Sequence, residues 1–574
     1  MVSAGFLDVT GRNDAPTCVL AHIVTPSSVS YYLSSAPYVS GDSAEGEDAP
    51  TNIAYTPIIS GFPRVRIGID DFLSGQASVS WGELVLATDE NVSDMFGTPG
   101  ASITLFVAVA PQYRGLSTAT AKFPSSAWRE CILIGKVSHF RTNQNRTVSI
   151  TIQSETRSFF DQKVCNTLFS ASNTPTIPAE NIGKPIPITL GQCRNVSPTL
   201  IDASALRFQA SSAAVTVDRV SDGGLPLILT GNAAAYDADP YKLRLASSAS
   251  STAGYYIGAH INLLTGPGST GRGRVTAYDG STKTATMQSA WSANPTTSTT
   301  YELELWTYPL TPTIGEFTLL SPYTYNITAD VRGQQILSPF GHGTAIEVLW
   351  YIVLGRYISE VSDTSGVLID YDGIFLEGEI TIGDALSALA RAAGAVWAMI
   401  PQLISGSYVD ALVVRPIKMP TSAAVATFDS STILSYDLAL DTDVIWRATG
   451  RDKKTWTATE QNAANSQLPV AEREWLKAGY VRNVYENTSA ATRYGAREIE
   501  VETLRYDSGN STATLTQLVT FFSGAIRKRL RITVPAFFPS PILMDKITVT
   551  MPDNVSTYSG DYDLTGWTTY TDSN

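Results

Sequence analysis

"GYYIGAHINLLTGPGSTGRGRVTAYDGSTKTATM", residues 254–287, carries G-x-G-x-x-G at Gly266, Gly268 and Gly271. That spacing serves a dinucleotide when the turn opens a helix inside a β-α-β unit, because the helix N-terminus holds the pyrophosphate. Here Gly271 is followed by "RGRVTAYDG", a strand pattern running into a hairpin. No helix is in place to receive a phosphate. The overlapping P-loop spacing fails as well, since Arg272 and Gly273 stand where Lys and then Ser or Thr are needed. The glycines are therefore read as turn glycines. Around them "YKLRLAS", "GAHINLLT", "GRVTAYDGSTKTATM" and "YELELWT" are short strand patterns. Asp279-Gly280 predicts a type I′ hairpin turn, which needs positive φ at its centre. Residues 240–310 read as a small inserted β domain.

Outward from that unit the chain stays rich in strands. "VRIGI" (65–69), "ASVSWGELVLAT" (77–88) and "SITLFVAVA" (102–110) are β-branched and aromatic, with Gly, Pro and Asp between them. "CILIGKVSHF" (131–140) and "RTVSITIQS" (146–154) form a hairpin pattern, so residues 1–165 read as an antiparallel β domain. Within 166–239, five prolines between Pro175 and Pro198 forbid a helix and favour an extended crossover. "AVTVDRVSDGGLPLIL" (214–229) then resumes strands around an Asp222-Gly223-Gly224 turn.

Helical spacing appears late, within α+β segments at 311–450 and 451–574. One candidate is 344–358. A second is 381–397, where Thr381 and Asp384 have capping-box spacing and Leu386, Leu389, Ala393 and Val396 or Trp397 share a face. A third, 511–532, sets Leu515, Leu518, Val519, Phe522, Ile526 and Leu530 at helical spacing. Its Arg527, Lys528 and Arg529 would suit the negative end of the helix dipole, with a nucleic-acid patch as the alternative.

The 574 residues suffice for several cores, and 43% hydrophobic with 16% charged residues is the composition of an ordered, strand-rich protein. Net charge is −13, unevenly spread. Residues 1–100 carry three basic and twelve acidic side chains, residues 101–200 ten basic and four acidic. Such an acidic chain is a poor nucleic-acid binder overall, and the blocks serve either solubility or subunit contacts. The first twenty residues contain no basic segment followed by an apolar core, so no signal peptide is expected. No stretch reaches the ~18–20 apolar residues of a membrane span.

Catalytic patterns are missing, and no catalytic, cofactor or metal residue is assigned. Cys18, Cys131, Cys165 and Cys193 are far apart without C-x-x-C and read as reduced thiols. His22, His139, His260 and His342 fit no ligand spacing, and His139 and His260 read as structural histidines in strands. Asp70-Asp71 and Asp89-Glu90 could pair as glycosidase carboxylates only across a sugar, whereas neighbours on a strand point to opposite faces. Tyr255, Tyr256, Tyr278, Trp291, Tyr301, Trp306 and Tyr308 in the inserted unit are either its core or an exposed sugar-stacking surface.

Several segments, in order, resemble the tail-tip or baseplate hub proteins of long-tailed, siphovirus-like bacteriophages and gene-transfer particles. They are "YYLSSAPYVS" (31–40), "PTNIAYTPII" (50–59), "GELVLATDE" (82–90), "ECILIGKVSHF" with "VSITIQSETRSFFDQKV", and above all "GKPIPITLGQCRNVSPTLID" (183–202) followed by "VSDGG" (220–224). "ADVRG" (329–333), the segment near 384–397 and "VRNVYENTS" (481–489) continue the order. The unit at 254–306 resembles a β insertion of phage tail and fibre proteins. The resemblance implies a mainly β, multidomain hub with α+β modules and a small inserted β domain. It implies a non-enzymatic virion protein at the tail tip, assembled in the host cytoplasm as a homotrimer. Such a hub would close the tail tube and contact the distal tail protein and the tape-measure protein. It would carry a fibre or spike, meet DNA only as it passes through the channel, and open for DNA ejection. The alternative is a receptor-binding tail protein that recognises a surface glycan or pilus through residues 240–310.

Overall fold

The computed structural model describes residues 17–40, 52–87 without 64, 70 and 81, 100–109, 129–153 without 144–145, 157–309 and 314–333. It further describes 361–362, 373–533 with short breaks at 405–406, 418–423, 425, 430–432, 442–443, 458–459, 495–496, 508, 510 and 524–526, then 546–551, 560–563 and 566–568. The helix expected at 344–358, His342, Asp70, Asp89 and Glu90 lie outside the described residues. The chain is mainly β with several curled sheets and few helices, a multidomain fold as the strand patterns required.

Seven antiparallel strands make the first unit, in the spatial order Ser30–Ser34, Thr17–Val24, Ser102–Val109, Arg129–Asn143, Thr147–Gln153, Glu83–Ala87, Ile59–Gly61. Thr56, three residues before the last of these strands, bridges to the first: Ser34 N donates to Thr56 O at 2.8 Å and Thr56 N to Tyr32 O at 2.9 Å. The bridge covers part of one open edge. Period-two alternation then sorts the side chains, with Val19, Ala21, Ile23, Leu84, Ile103 and Leu105 buried together on one face. Cys18, Leu20, Phe106 and Cys131 pack on the other, under Tyr38 and Tyr55. The single run expected at 77–88 is two strands. Ser78–Ser80 joins Arg66–Gly68 and the late strand Gly566–Thr568, while Glu83–Ala87 enters the seven-stranded sheet. Alternation continues through Gly82, so the sequence hides the change of sheet.

A five-stranded sheet and a four-stranded sheet bury Cys193, Val196, Phe208, Val217, Phe317 and Val331 between them. The proline-rich passage holds no α-helix, as expected, but it is extended only from about residue 185; before that it folds through successive turns, including a 3-10 turn at Ala179–Asn181 after Pro178. It is more than a crossover, because its end, Ile188–Val196, lies between Ile327–Arg332 and Gly373–Leu376 inside the five-stranded sheet. The Asp222-Gly223-Gly224 turn is as expected, with φ of 57° and 89° at the two glycines.

The inserted unit has six strands in the order Ile228–Asn232, Thr300–Glu304, His260–Thr265, Arg272–Asp279, Thr284–Met287, Lys242–Arg244. Ala234 N donates to Arg244 O at 2.9 Å, linking the two outermost strands, and Ala246 N donates to the Tyr301 hydroxyl at 2.8 Å. Leu243, Ile261, Val275, Tyr278, Trp291 and Tyr301 fill the interior. Gly266 and Gly268 have φ of 80° and 77° in the loop between two strands, which confirms them as turn glycines. The hairpin after Asp279 is present, but its turn differs from the type I′ expectation. Lys283, not Gly280, has positive φ (56°). The Asp279 carboxylate accepts from Ser281 N at 2.9 Å and from the Ser281 and Thr282 hydroxyls at 2.7 and 2.8 Å, so side-chain capping sets a longer turn. Gly280 is needed for space, since a Cβ there would run into the Ser251 carbonyl.

The helix expected at 381–397 spans Ile382–Ala392. Thr381 Oγ1 accepts from Asp384 N at 3.1 Å and donates to Asp384 Oδ2 at 2.8 Å, so the cap forms without the reciprocal arm of a full box. Val396 and Trp397 belong to the following strand, Ala395–Ile404. That strand is buried on both faces, with Ala395, Trp397 and Met399 against the helix and Val396, Ala398 and Ile400 against a second helix. This second helix, Thr512–Ser523, is shorter than the 511–532 expectation. Arg527, Lys528, Arg529 and Leu530 lie on a strand, Arg527–Thr533, antiparallel to Ser435–Asp441, with Arg531 opposite Asp437 and Arg527 opposite Asp441. The basic run therefore does not end a helix. Cross-strand pairing with acidic positions gives it a different place.

A strap ties the first unit to this core. Phe72 lies 5.4 and 5.9 Å from the Phe521 and Phe522 rings, and Gly75, with φ 76°, lets Trp397 N reach its carbonyl at 2.9 Å. Among the described residues no helix is long and apolar enough to cross a membrane.

Candidate functional site

Three segments quoted above for their resemblance become neighbouring strands. Thr216–Asp222 holds the start of "VSDGG", Ile327–Arg332 holds "ADVR", and Ile188–Val196 ends in "GQCRNV". Their apolar positions face the sandwich core. Irregularities between Val217 and Arg219 and between Cys193 and Val196 break the alternation there and re-aim the charged residues. Asn195 accordingly adopts φ 52°, a left-handed conformation that Asn tolerates.

The charged groups meet the segment 453–507 in a seam. Arg194 Nη2 lies 2.8 Å from Asp507 Oδ1, its Nε donates to Tyr506 O at 2.9 Å, and its guanidinium sits 3.7 Å above the Tyr506 ring. Its Nη1 is 3.7 Å from Asp330 Oδ2, and Asn195 N donates to Asp330 Oδ1 at 2.8 Å. Asn195 Nδ2 donates to Thr457 O at 2.7 Å. Arg219 pairs with Glu472 at 2.8 Å, and Arg332 with Asp218 through two contacts of 2.6 Å. Burial holds the Asp330 carboxyl above the usual range, opposed by the Asn195 N–H bond and then by Arg219 and Arg194. Every side chain of this set is spent on another part of the same chain. The arrangement can fix orientation, and it presents no nucleophile beside a base.

On the far side, the buried Asp452 carboxylate organises the loop that carries Tyr506 and Asp507. It accepts from Thr503 Oγ1 at 2.6 Å, Gly509 N at 2.8 Å, and Ser511 N and Asn483 Nδ2 at 3.4 Å.

A second polar group lies where the inserted unit joins the sandwich. His260 stacks on Tyr308 with ring centroids 4.8 Å apart, and its Nε2 is 3.1 Å from the Tyr308 hydroxyl. Its Nδ1 faces Glu304 Oε2 at 3.6 Å, while Glu304 Oε1 binds Arg272 at 2.8 Å. Burial, reinforced by Arg272 and Arg274, lowers the His260 pKa to about 4, whereas burial raises that of Glu304. His260 is thus half of a stacked, hydrogen-bonded pair with Tyr308. Between pH 6.5 and about 4 the unfolded chain binds a proton at this histidine that the folded barrel refuses, so acid erodes stability in that window. His260→Gln is expected to flatten that decline, read by urea unfolding followed through Trp291 fluorescence. An unchanged slope would refute the assignment.

The remaining candidates are scattered. His139 is exposed, and His22 stacks on Tyr32 at 4.6 Å. Asp71 caps a 3-10 turn through Leu73 N at 2.9 Å. All four cysteines are buried, with Cys165 Sγ donating to Leu376 O at 3.2 Å and burial pushing the Cys193 thiol up. No cluster of three or more His, Cys, Asp or Glu able to hold a metal occurs among the described residues. Tyr256, Tyr278, Trp291, Tyr301 and Trp306 are core, and Tyr255 and Tyr308 are half-buried. A cavity of about 240 Å³ lies among Phe72, Leu73, Arg391, Arg451, Glu500 and Leu518, away from these groups. Sequence reasoning quoted the seam's strands without singling out Arg194, Asp218, Arg219, Asp330 or Arg332. The available signal was charge inside apolar strand patterns.

The chain matches no protein-family profile, and it matches no curated protein. Among solved structures it is similar to a chain of the virion of the native gene transfer agent particle, at 12% identity over 53% of this chain and 84% of that one, with a TM-score of 0.19. It is similar to the 43 kDa tail protein of prophage MuSo2 from Shewanella oneidensis, at 11% identity over 66% and 89%, with a TM-score of 0.26. It is also similar to the prophage tail protein gp18 of Listeria monocytogenes, at 12% identity over 47% and 80%, with a TM-score of 0.23.

Proposed function

We propose that the chain is a structural virion protein of a long bacteriophage-type tail, acting as the tail-tip or baseplate hub. In this reading it is a non-enzymatic homotrimer that closes the tube between the distal tail ring, the tape-measure protein and a fibre or spike, and opens for DNA ejection. One observation carries the reading. The two segments with the most specific hub resemblance and a third, later one sit side by side, and charged residues on them tie the sandwich to the C-terminal segment. A part that must hold a channel's geometry under load needs modules fixed to one another, and charged pairs with defined geometry supply register. Electron microscopy of intact particles tests it, with threefold density at the tail tip expected to accommodate this chain. Particles whose tails assemble and end normally without the chain would refute it.

A further inference from the structure

The loop joining the two outermost strands of the inserted barrel is "AAAYDADPY", residues 233–241. Its Tyr236 and Tyr241 are 61% and 46% exposed, unlike the barrel's other tyrosines. Yet the loop is tied down. Asn294 Nδ2 donates to Asp237 O and Ala238 O at 3.1 and 3.0 Å, and Asp237 Oδ1 accepts from Asp239 N at 3.0 Å. Asp239 Oδ1 accepts from Tyr241 N at 3.0 Å, and Asp239 Oδ2 pairs with Lys242 at 3.1 Å. Trp291 N and Met287 N donate to Pro240 O and Tyr241 O at 2.9 and 2.7 Å, fastening the loop to the barrel.

We propose that this loop is a saccharide-binding site, with Tyr236 and Tyr241 supplying apolar platforms for sugar rings. A rigid backbone presents large rings at little entropic cost on binding, the economy that makes tyrosine common in recognition loops. Among the described residues, Asp237 Oδ2 and Asn294 Oδ1 accept no hydrogen bond, so the loop and the residue that ties it down offer two acceptors for sugar hydroxyls. A protein partner would call for an apolar surround to bury an aromatic anchor. Here the flanking exposed positions are Asn232, Ala234, Ala238, Ser292 and Ala293, small or polar. Charge narrows the class further. Lys242 pairs with Asp239 and also feels the Asp237 carboxylate, so residues 236–242 set two carboxylates against one ammonium, a net negative charge that favours neutral or amino sugars over phosphate-rich or uronate-rich polymers. The seven aromatics named from the sequence are core or half-buried, so this loop carries the function in their place.

The full chain should be applied to an array of purified bacterial surface polysaccharides, neutral and anionic. Saturable binding to neutral or amino-sugar polymers is expected. Tyr236→Ala and Tyr241→Ala should each weaken it about tenfold, and Ile257→Ala, exposed elsewhere on the same unit, should leave it unchanged. Both tyrosine variants remove exposed rings, and their thermal unfolding should match the parent. Absence of saturable binding, equal binding by the tyrosine variants, or preference for anionic polymers would each overturn the proposal. The position of the chain in the particle is untouched by these variants, so the hub reading and this site stand or fall separately.

Discussion

Asp452→Ala is expected to cost about 3 kcal/mol or more and to loosen residues 503–511, because it strips a common acceptor from several buried donors. Asp452 is fully buried at the end of the strand Ile445–Asp452. Its two oxygens hold the Thr503 hydroxyl and the Gly509 and Ser511 amides; the hydroxyl can turn to Arg451 O at 2.9 Å, so the two amides bear the loss. Ser511 directly precedes the helix Thr512–Ser523, so the carboxylate also sits where helix amides favour negative charge. Asp452→Asn keeps one acceptor but turns an NH₂ toward N–H groups, so it should recover only part of the loss. Urea unfolding followed by Trp456 and Trp475 fluorescence reads the stability, and hydrogen exchange at 503–512 reads the loop. An alanine variant within about 0.5 kcal/mol of the parent would show that the loop is held by its apolar neighbours instead.

Strands were legible where the period was two and the punctuation clear, as in Ser102–Val109 and the hairpin Arg129–Asn143 with Thr147–Gln153. Helix ends were not. Val396 and Trp397 keep helical spacing from Leu389, yet they lie on a strand covered on both faces, and such a strand gives an apolar run without alternation. The same ambiguity carried the last helix through Arg527 to Leu530, residues that pair with Ser435–Asp441 about ninety positions earlier. Asp279-Gly280 marked the hairpin correctly, but the capping strength of Asp279 for the next two residues decided the turn. The seam is the deepest gap. Arg194 and Asp507 are 313 residues apart, and no local pattern announces a partner at that distance. Tyr236 and Tyr241 differ from Tyr256 and Tyr301 only in exposure, which composition does not carry.

Arg194→Ala should destabilise the joint between sandwich and C-terminal segment by about 1.5–3 kcal/mol, since it removes the charge-assisted bonds to Asp507 and Tyr506 O and one of the three influences that hold Asp330 down. The guanidinium serves Asp507, Tyr506 O and the Tyr506 ring together, and it lies 3.7 Å from Asp330. Asp330 already sits above the ordinary aspartate range because burial outweighs the charges and N–H bond that lower it. Removing Arg194 deletes one of the lowering influences, so the carboxyl rises further. A raised folded-state pKa favours the folded form below the unfolded value, near pH 4, and that advantage is lost as pH rises through the folded value. The variant should therefore be closest to the parent in mild acid and furthest from it at neutral pH. Arg194→Lys keeps charge but neither the fork nor the stacking face, and should fall between the two. Adding Asp330→Asn to Arg194→Ala removes the charge that titrates, so the pH dependence of the deficit should disappear while the lost Asp507 and Tyr506 contacts remain. A deficit that stays constant from acid through alkaline pH in the single variant would mean that Asp330 does not feel Arg194, and that the seam is held by its backbone contacts alone.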